Sequence, residues 1–309
     1  MYDNLDFDLS KTVSPGINFL QTIPQYLTKV TSNGITDFGE YYNGYLDSLK
    51  VKVTENRVTV KDNSICKYYL GDNFKTLSKG DYKRAIEKIS DCLHLPFHLA
   101  NVTRIDAAQN LIMQYETGLY YPFLGEAQYY KRLPQPNGLY YSNELRQLVF
   151  YGKVKEQKDK RQPIPELYQY RNVLRFEMRF KRRLREHFNR TEITAGLLYD
   201  EVFYRDLFKQ WKNEYFNIQK INSKYMSMKP TGSKKEFIEN LALFSIIEAG
   251  QSQVLNTIKQ WQETGEISKK QAFDLRGYIK EITQRPINEA GNDLINELNR
   301  KIKEAARNY

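Results

Sequence analysis

Three short segments carry side chains able to attack or hold a phosphodiester. Tyr151 and Lys153 stand two apart in Leu148-Val149-Phe150-Tyr151-Gly152-Lys153, and Arg104 and Asp106 stand two apart in Val102-Thr103-Arg104-Ile105-Asp106-Ala107. In the third, Arg175, Glu177 and Arg179 alternate with Leu174, Phe176, Met178 and Phe180. Residues two apart on a β-strand point to the same face. Each segment therefore offers an apolar face to a core and a charged face opposite. Three such strands side by side, apolar faces down, gather two carboxylates, a tyrosine, a lysine and several arginines.

The chemistry this set suits is attack on an anionic phosphate. Asp106 and Glu177 are oxygen donors of the kind that hold Mg²⁺ or Mn²⁺, and such an ion polarises the phosphate and places it. A free phenol, with a pKa of about 10, is a weak nucleophile at neutral pH. Lys153 and the ion are expected to favour the phenolate of Tyr151. Arg104, Arg175 and Arg179 are expected to grip flanking phosphates. The basic run over residues 175–190 adds Lys181, Arg182 and Arg183 as DNA-binding candidates. For any one strand, the plain alternative is a solvated face whose cross-strand ion pairs contribute about 0.2–1 kcal/mol each.

The elements that must position these residues are legible as patterns. Residues 101–107, 146–154 and 173–180 read as strands, and Leu49–Val53 with Arg57–Val60 as a hairpin. Ser78 opens a helix with a buried stripe of Tyr82, Ile86, Ile89 and Leu93, and Tyr204, Phe208, Trp211, Tyr215 and Ile218 form a second apolar stripe. Strands and helices mixed without strict alternation predict an α+β fold, an antiparallel sheet with helices packed on one face. Residues 153–161, dense in charge, read as a loop. A domain over 1–222, a linker over 223–232 rich in small and turn residues, and an all-helical domain over 233–309 complete the outline. Two capping boxes, Ser233 to Glu236 and Ser268 to Gln271, start helices in that last part, and the short Gly265 turn between Trp261 and Ser268 has a helix-turn-helix outline.

At the three strand segments the sequence resembles the rolling-circle replication initiators of filamentous phages and related plasmids, the II/X family, over roughly residues 43–220. Residues 63–73 resemble the strand and turn before that family's first helix. The resemblance implies that Tyr151 is the nucleophile and that Asp106 and Glu177 are metal ligands, with Asp3 a further candidate. It implies a nick that leaves a 5′-phosphotyrosine and a free 3′-OH and can be resealed, and origin DNA, single-stranded or in a hairpin, as substrate. A host helicase and polymerase would be its partners. One departure separates the chain from the wider rolling-circle superfamily, whose members often bind metal through His-hydrophobic-His. His94 and His98 have the wrong spacing, and Pro96 between them prevents a helix that would bring their rings together.

Composition agrees. With 47 Lys+Arg against 37 Asp+Glu the net charge is +10, which draws polyanions. The 24 tyrosines and 16 phenylalanines include surfaces on which unpaired bases can stack. Cys66 and Cys92 make neither a disulfide framework nor a metal motif, and with no apolar run of membrane-spanning length they predict a cytoplasmic location without membrane contact. No Walker-type glycine loop calls for ATP. A non-catalytic single-strand-binding module and a plasmid-mobilisation relaxase with the same chemistry are the competing functional readings.

Overall fold

The computed structural model describes residues 1–61, 63–221, 233–284 and 290–307. The expected linker, residues 223–232, lies outside the described residues. The first unit comprises Met1–Tyr121, Gly125–Gln219 and Arg300–Tyr309, and the second Pro122–Leu124 and Lys220–Asn299.

In chain order the elements are β1 (Tyr2–Ser10), α1 (Phe19–Thr22), β2 (Lys29–Thr36), β3 (Gly39–Leu46), β4 (Leu49–Thr54), β5 (Arg57–Val60), α2 (Ile65–Leu70) and α3 (Lys79–Leu93). There follow β6 (Asn101–Met113), β7 (Leu124–Ala127), β8 (Lys131–Gln135), β9 (Gly138–Ser142), β10 (Arg146–Gly152), α4 (Lys153–Asp159), β11 (Asn172–Phe180), α5 (Leu184–Phe188), α6 (Glu201–Asn217) and β12 (Ile218–Lys220). Ten strands make one antiparallel sheet in the order β2-β3-β4-β5-β1-β6-β11-β10-β9-β8. The fold is α+β, as the patterning predicts.

Strict alternation sets which side of each strand is core. Leu5, Phe7 and Leu9 of β1, Ile105 and Ala107 of β6, Leu148 and Phe150 of β10, and Phe176 and Met178 of β11 are all buried. The Phe150 and Phe176 rings stack with centroids 4.4 Å apart, and Trp211 of α6 packs on Phe176 at 4.9 Å while its indole N–H donates to the Phe176 carbonyl at 3.4 Å. The expected aromatic stripe of α6 is therefore core. α3 begins with a complete capping box between Ser78 and Asp81 and ends on His94 in the left-handed region. His94 and His98 are both exposed, and neither takes part in a metal-ligand group among the described residues.

Two local expectations are corrected. Residues 153–161 are not a loop: α4 forms there because Glu156 pairs with Lys153 at 2.8 Å and with Lys160, one turn apart on a helix. The strand accordingly stops at Gly152 and not at Val154. Residues 63–73 are helix rather than strand over Ile65–Leu70, capped by the Ser64 hydroxyl and stopped by Gly71 at φ 82°.

In the second unit α7 (Lys234–Ala249), α8 (Gln251–Glu263) and α9 (Lys269–Gln284) share a small core of Leu243, Ile246, Ile258, Ala272, Ile279 and Ile282. The Ser268–Gln271 capping box is formed, and Gly265 takes φ 79° in the turn before it. α10 (Ala290–Arg307) buries Leu294, Leu298 and Ile302 at four-residue spacing. No helix among the described residues is long and apolar enough to cross a membrane.

Candidate active site

The three segments singled out by their residues lie on adjacent strands. β11 is paired on one side with β10, Tyr151 facing Arg175 and Val149 facing Glu177, and on the other with β6, Arg179 facing Asp106 and Arg175 facing Asn110. Because partners across an antiparallel pair share a face, Tyr151, Arg175, Glu177, Arg179, Asp106 and Arg104 all project from the side opposite the Phe150–Phe176 stack. The aromatic layer beneath holds the strands to one register, and with them the side chains above.

The centre of the site is Glu177. Its Oε1 accepts the Tyr151 hydroxyl at 2.7 Å and the Arg175 Nε at 2.7 Å, and its Oε2 accepts the Arg179 Nε at 2.8 Å. Burial works against its charge, but Arg175 and Arg179 outweigh that and hold the carboxyl down to about 2. The Tyr151 phenol is pushed the other way, well above 10, first by burial and then by the Glu177 and Asp3 charges, with Arg175 opposing. The proton rests on the phenol and is aimed at a carboxylate.

Asp106 is fully buried and accepts Arg104 Nε at 2.9 Å and the Asn4 amide at 3.2 Å. Burial pushes its carboxyl up to about 6 against the pull of Arg104 and Arg179. The Arg179 guanidinium lies between the two expected metal ligands, 2.8 Å from Glu177 and 3.9 Å from Asp106. A hard divalent ion would need those same oxygens. Asp3, Asp106 and Glu177 are the right donor type, but each is already engaged by a guanidinium, and the three carboxylates are balanced by Arg104, Arg175 and Arg179. Among the described residues no group of three acidic, His or Cys side chains is arranged around an ion. As arranged, the residues do not fit Mg²⁺ or Mn²⁺.

Two expected roles also change. Lys153 begins α4 and is buried, its Nζ 6.0 Å over the centre of the Tyr151 ring and paired with Glu156 at 2.8 Å, while the described partner of the Tyr151 hydroxyl is Glu177. Arg175 is 3% exposed, with donors on Glu177, Asp3, the Asn73 carbonyl at 3.0 Å and Asn110 at 3.0 Å. It cannot reach a DNA strand and instead positions Glu177. Arg104 and Arg179 keep about a quarter of their side chains open, at 25% and 23%, and Lys181, Arg182 and Arg183 continue the cationic rim with the last two exposed.

The polar lining around Arg175 is what residue patterning did not supply. Asp3 and Asn4 point at the site because β1 has a register shift between Tyr2 and Leu5, a bulge that re-aims side chains. Asn110, beyond the predicted end of its strand, donates to the carbonyls of Asn73 and Phe74 and closes the site on that side. The cue was available only for Asp3, as an acid on an otherwise alternating first strand.

The Phage_CRI family, described as the N-terminal part of a phage replication-associated protein, matches residues 1–214. The chain belongs to that family. The match takes in every strand of the large sheet and ends inside α6, so the whole Glu177 network lies within the Phage_CRI region. No curated protein matches the chain. Membership makes this a replication-associated protein of phage type, the class that the three strand motifs resemble.

Proposed function

We propose that the chain is a replication initiator that nicks one DNA strand through Tyr151. The observation that supports this reading most directly is the 2.7 Å hydrogen bond from the Tyr151 hydroxyl to Glu177 on a cationic sheet face. In the proposed step the phenol oxygen bonds to phosphorus while its proton passes to Glu177 Oε1. The bond from phosphorus to the 3′ oxygen breaks, and that oxygen takes a proton from water. The products are a 5′-phosphotyrosine and a free 3′-OH, and because the ester keeps the bond energy the strand can be rejoined without ATP. Glu177, held strongly acidic by its arginines, is a weak base at rest. Proton transfer becomes favourable only as the phosphorus bond forms and the phenol loses its basicity, which ties deprotonation to attack. Arg104 and Arg179 stand where charge builds on the phosphate oxygens.

Mg²⁺ or Mn²⁺ is the cofactor that the family resemblance implies, but Arg104, Arg175 and Arg179 engage the carboxylates that would hold it, so the proposed step runs through no metal. The substrate is origin DNA, single-stranded or in a hairpin, with host helicase and polymerase following at the exposed 3′ end.

The test is covalent capture. Labelled single-stranded 30-mers tiled across the replicon that encodes the chain are incubated with protein, with Mg²⁺, Mn²⁺ or chelator, and run on a denaturing gel. One or a few oligonucleotides should shift covalently with wild type, and none with Tyr151→Phe. An adduct of full strength in that variant removes Tyr151, and salt-sensitive binding with no adduct anywhere supports the non-catalytic module instead.

A further inference from the structure

The outer strands of the sheet carry a second concentration of features that the nicking site does not use. Lys52 of β4 faces Asn43 of β3 on one side and Thr59 of β5 on the other. Thr59 faces Asp8 of β1, and Asp6, two residues along β1, faces Arg104 of β6. Cross-strand partners share a face, so this surface is continuous with the one that bears Arg104, Asp106 and Tyr151. From β4 to β10 there are five inter-strand steps. At about 4.8 Å each that is about 24 Å, the length of about seven base pairs at 3.4 Å.

Lys50, Lys52 and Lys61 are exposed around a basin of about 320 Å³ lined also by Thr31, Asn43 and Tyr45. Among the described residues no acid lines it. Lys52 sits 5.4 Å over the Tyr41 ring and forms no ion pair among those described. Asp8, which faces Thr59 on this surface, is paired with Arg57 at 2.7 Å. Among the described residues the basin presents positive charge to solvent without a carboxylate lining it.

The end of the β2–β3 ribbon lies outside the core and carries two exposed apolar side chains, Ile35 and Phe38, beside two exposed acids, Asp37 and Glu40. Tyr41 faces Thr54, the last residue of β4, so the ribbon runs on past its neighbour. Its closing turn joins Thr36 to Gly39 through Asp37 and Phe38. Phe38 is 98% exposed and Ile35 84%. The turn is nevertheless held: the Thr36 hydroxyl donates to the Gly39 carbonyl at 3.2 Å and accepts the Phe38 N–H at 3.3 Å, and Gly39 takes φ 101°. A fixed aromatic tip with no core to enter, on a two-stranded ribbon above a cationic basin, has the composition of an arm that lies along DNA and inserts a wedge between base steps.

We propose that the β2–β3 ribbon is such an arm: Lys50, Lys52 and Lys61 hold backbone phosphates of duplex DNA, and Phe38, with Ile35 on the ribbon's other face, unstacks a base step at the end of the sheet away from the nicking site. This rests on the nicking reading for its purpose, since a phosphodiester inside an intact duplex does not reach a partly buried phenol. Opening the helix at one end of the face would feed an unpaired strand toward the other.

The experiment uses the full chain and a mixed-sequence 30-bp duplex carrying 2-aminopurine. Wild type should bind it with a steep salt dependence and raise the 2-aminopurine fluorescence. The triple variant Lys50→Ala/Lys52→Ala/Lys61→Ala should lower the slope of log affinity against log salt by about 2.7, at about 0.9 for each phosphate no longer neutralised. Ile35→Ser/Phe38→Ser should keep most of that slope and lose the fluorescence rise. Both variants should form the covalent adduct on single-stranded substrate at wild-type level, and their thermal melts should match wild type. Unchanged slope and fluorescence in these variants would overturn the arm. So would a tip variant that converts a dimer to a monomer in sedimentation while unstacking persists, because the tip would then serve a second copy of the chain. If wild type opens the duplex but forms no adduct on any strand, the nicking reading fails and the arm stands.

Discussion

At the level of single residues, Tyr151 and Glu177 face each other with opposed tendencies, a phenol that keeps its proton and a carboxylate that refuses one. Glu177→Gln removes the acceptor and leaves a side chain of the same shape. We expect it to slow adduct formation by about 10²- to 10⁴-fold, the usual worth of a positioned base, with single-strand affinity unchanged in a filter-binding assay. Asp106 yields a pH dependence. Its buried carboxyl protonates near 6 when folded, against about 3.9 in an unfolded chain. Between those values the folded state binds a proton that the unfolded state lacks, so stability is gained as pH falls through 6 and lost as it rises. Urea midpoints at pH 7 and pH 5 should show a gain at the lower pH that Asp106→Asn lacks. Over that interval the gain is about 1 kcal/mol, since only about one unit of the shift is crossed between pH 6 and pH 5. Glu177 acts in the opposite sense only at more acid pH, because its carboxyl stays ionised down to about 2.

At the level of elements, the site depends on how closely β9 and β11 hold β10. Gly138 of β9 lies opposite Tyr151, and a Cβ there would sit 2.5 Å from the Phe150 carbonyl oxygen and 3.2 Å from the Tyr151 Cβ. The near atom is backbone, so the strands must separate. Gly138→Ala is expected to cost about 1–3 kcal/mol, the range for overpacking, in chemical denaturation. It should also reduce adduct formation more than its stability loss alone accounts for, since Tyr151 moves with the strand. α4 bears on the same point: it turns the chain at Gly152, where a Cβ would meet the Thr117 hydroxyl at 2.7 Å, and pairs Lys153 with Glu156.

On the scale of the whole molecule, charge is the property that counts. The excess of ten positive charges is spread over rim, ribbon and helices, while the site itself is close to neutral because three arginines answer three carboxylates. DNA affinity should therefore come from the rim. Arg182→Ala/Arg183→Ala is expected to lower the salt slope for single-stranded DNA by about 1.4, at about 0.7 for each phosphate released, measured by fluorescence anisotropy, with the Tyr151 adduct still formed at low salt.

Much of this was present in residue order alone. The alternation of Leu174, Phe176, Met178 and Phe180 with Arg175, Glu177 and Arg179 determined a strand and its two faces, because side-chain direction along a strand is a local property with a period of two. The same holds for the helix stripes and the Ser78 and Ser268 caps. Which charge meets which was not local. Arg175 finds Asp3 across 172 positions, Arg179 takes the place expected for an ion between Asp106 and Glu177, and Lys153 pairs with Glu156 on a helix. Those outcomes depend on strand register, on a bulge in β1 and on burial. A guanidinium, unlike a solvated ion pair on an open face, must be matched to a carboxylate once both are taken out of water. Only the folded sheet sets which ones are.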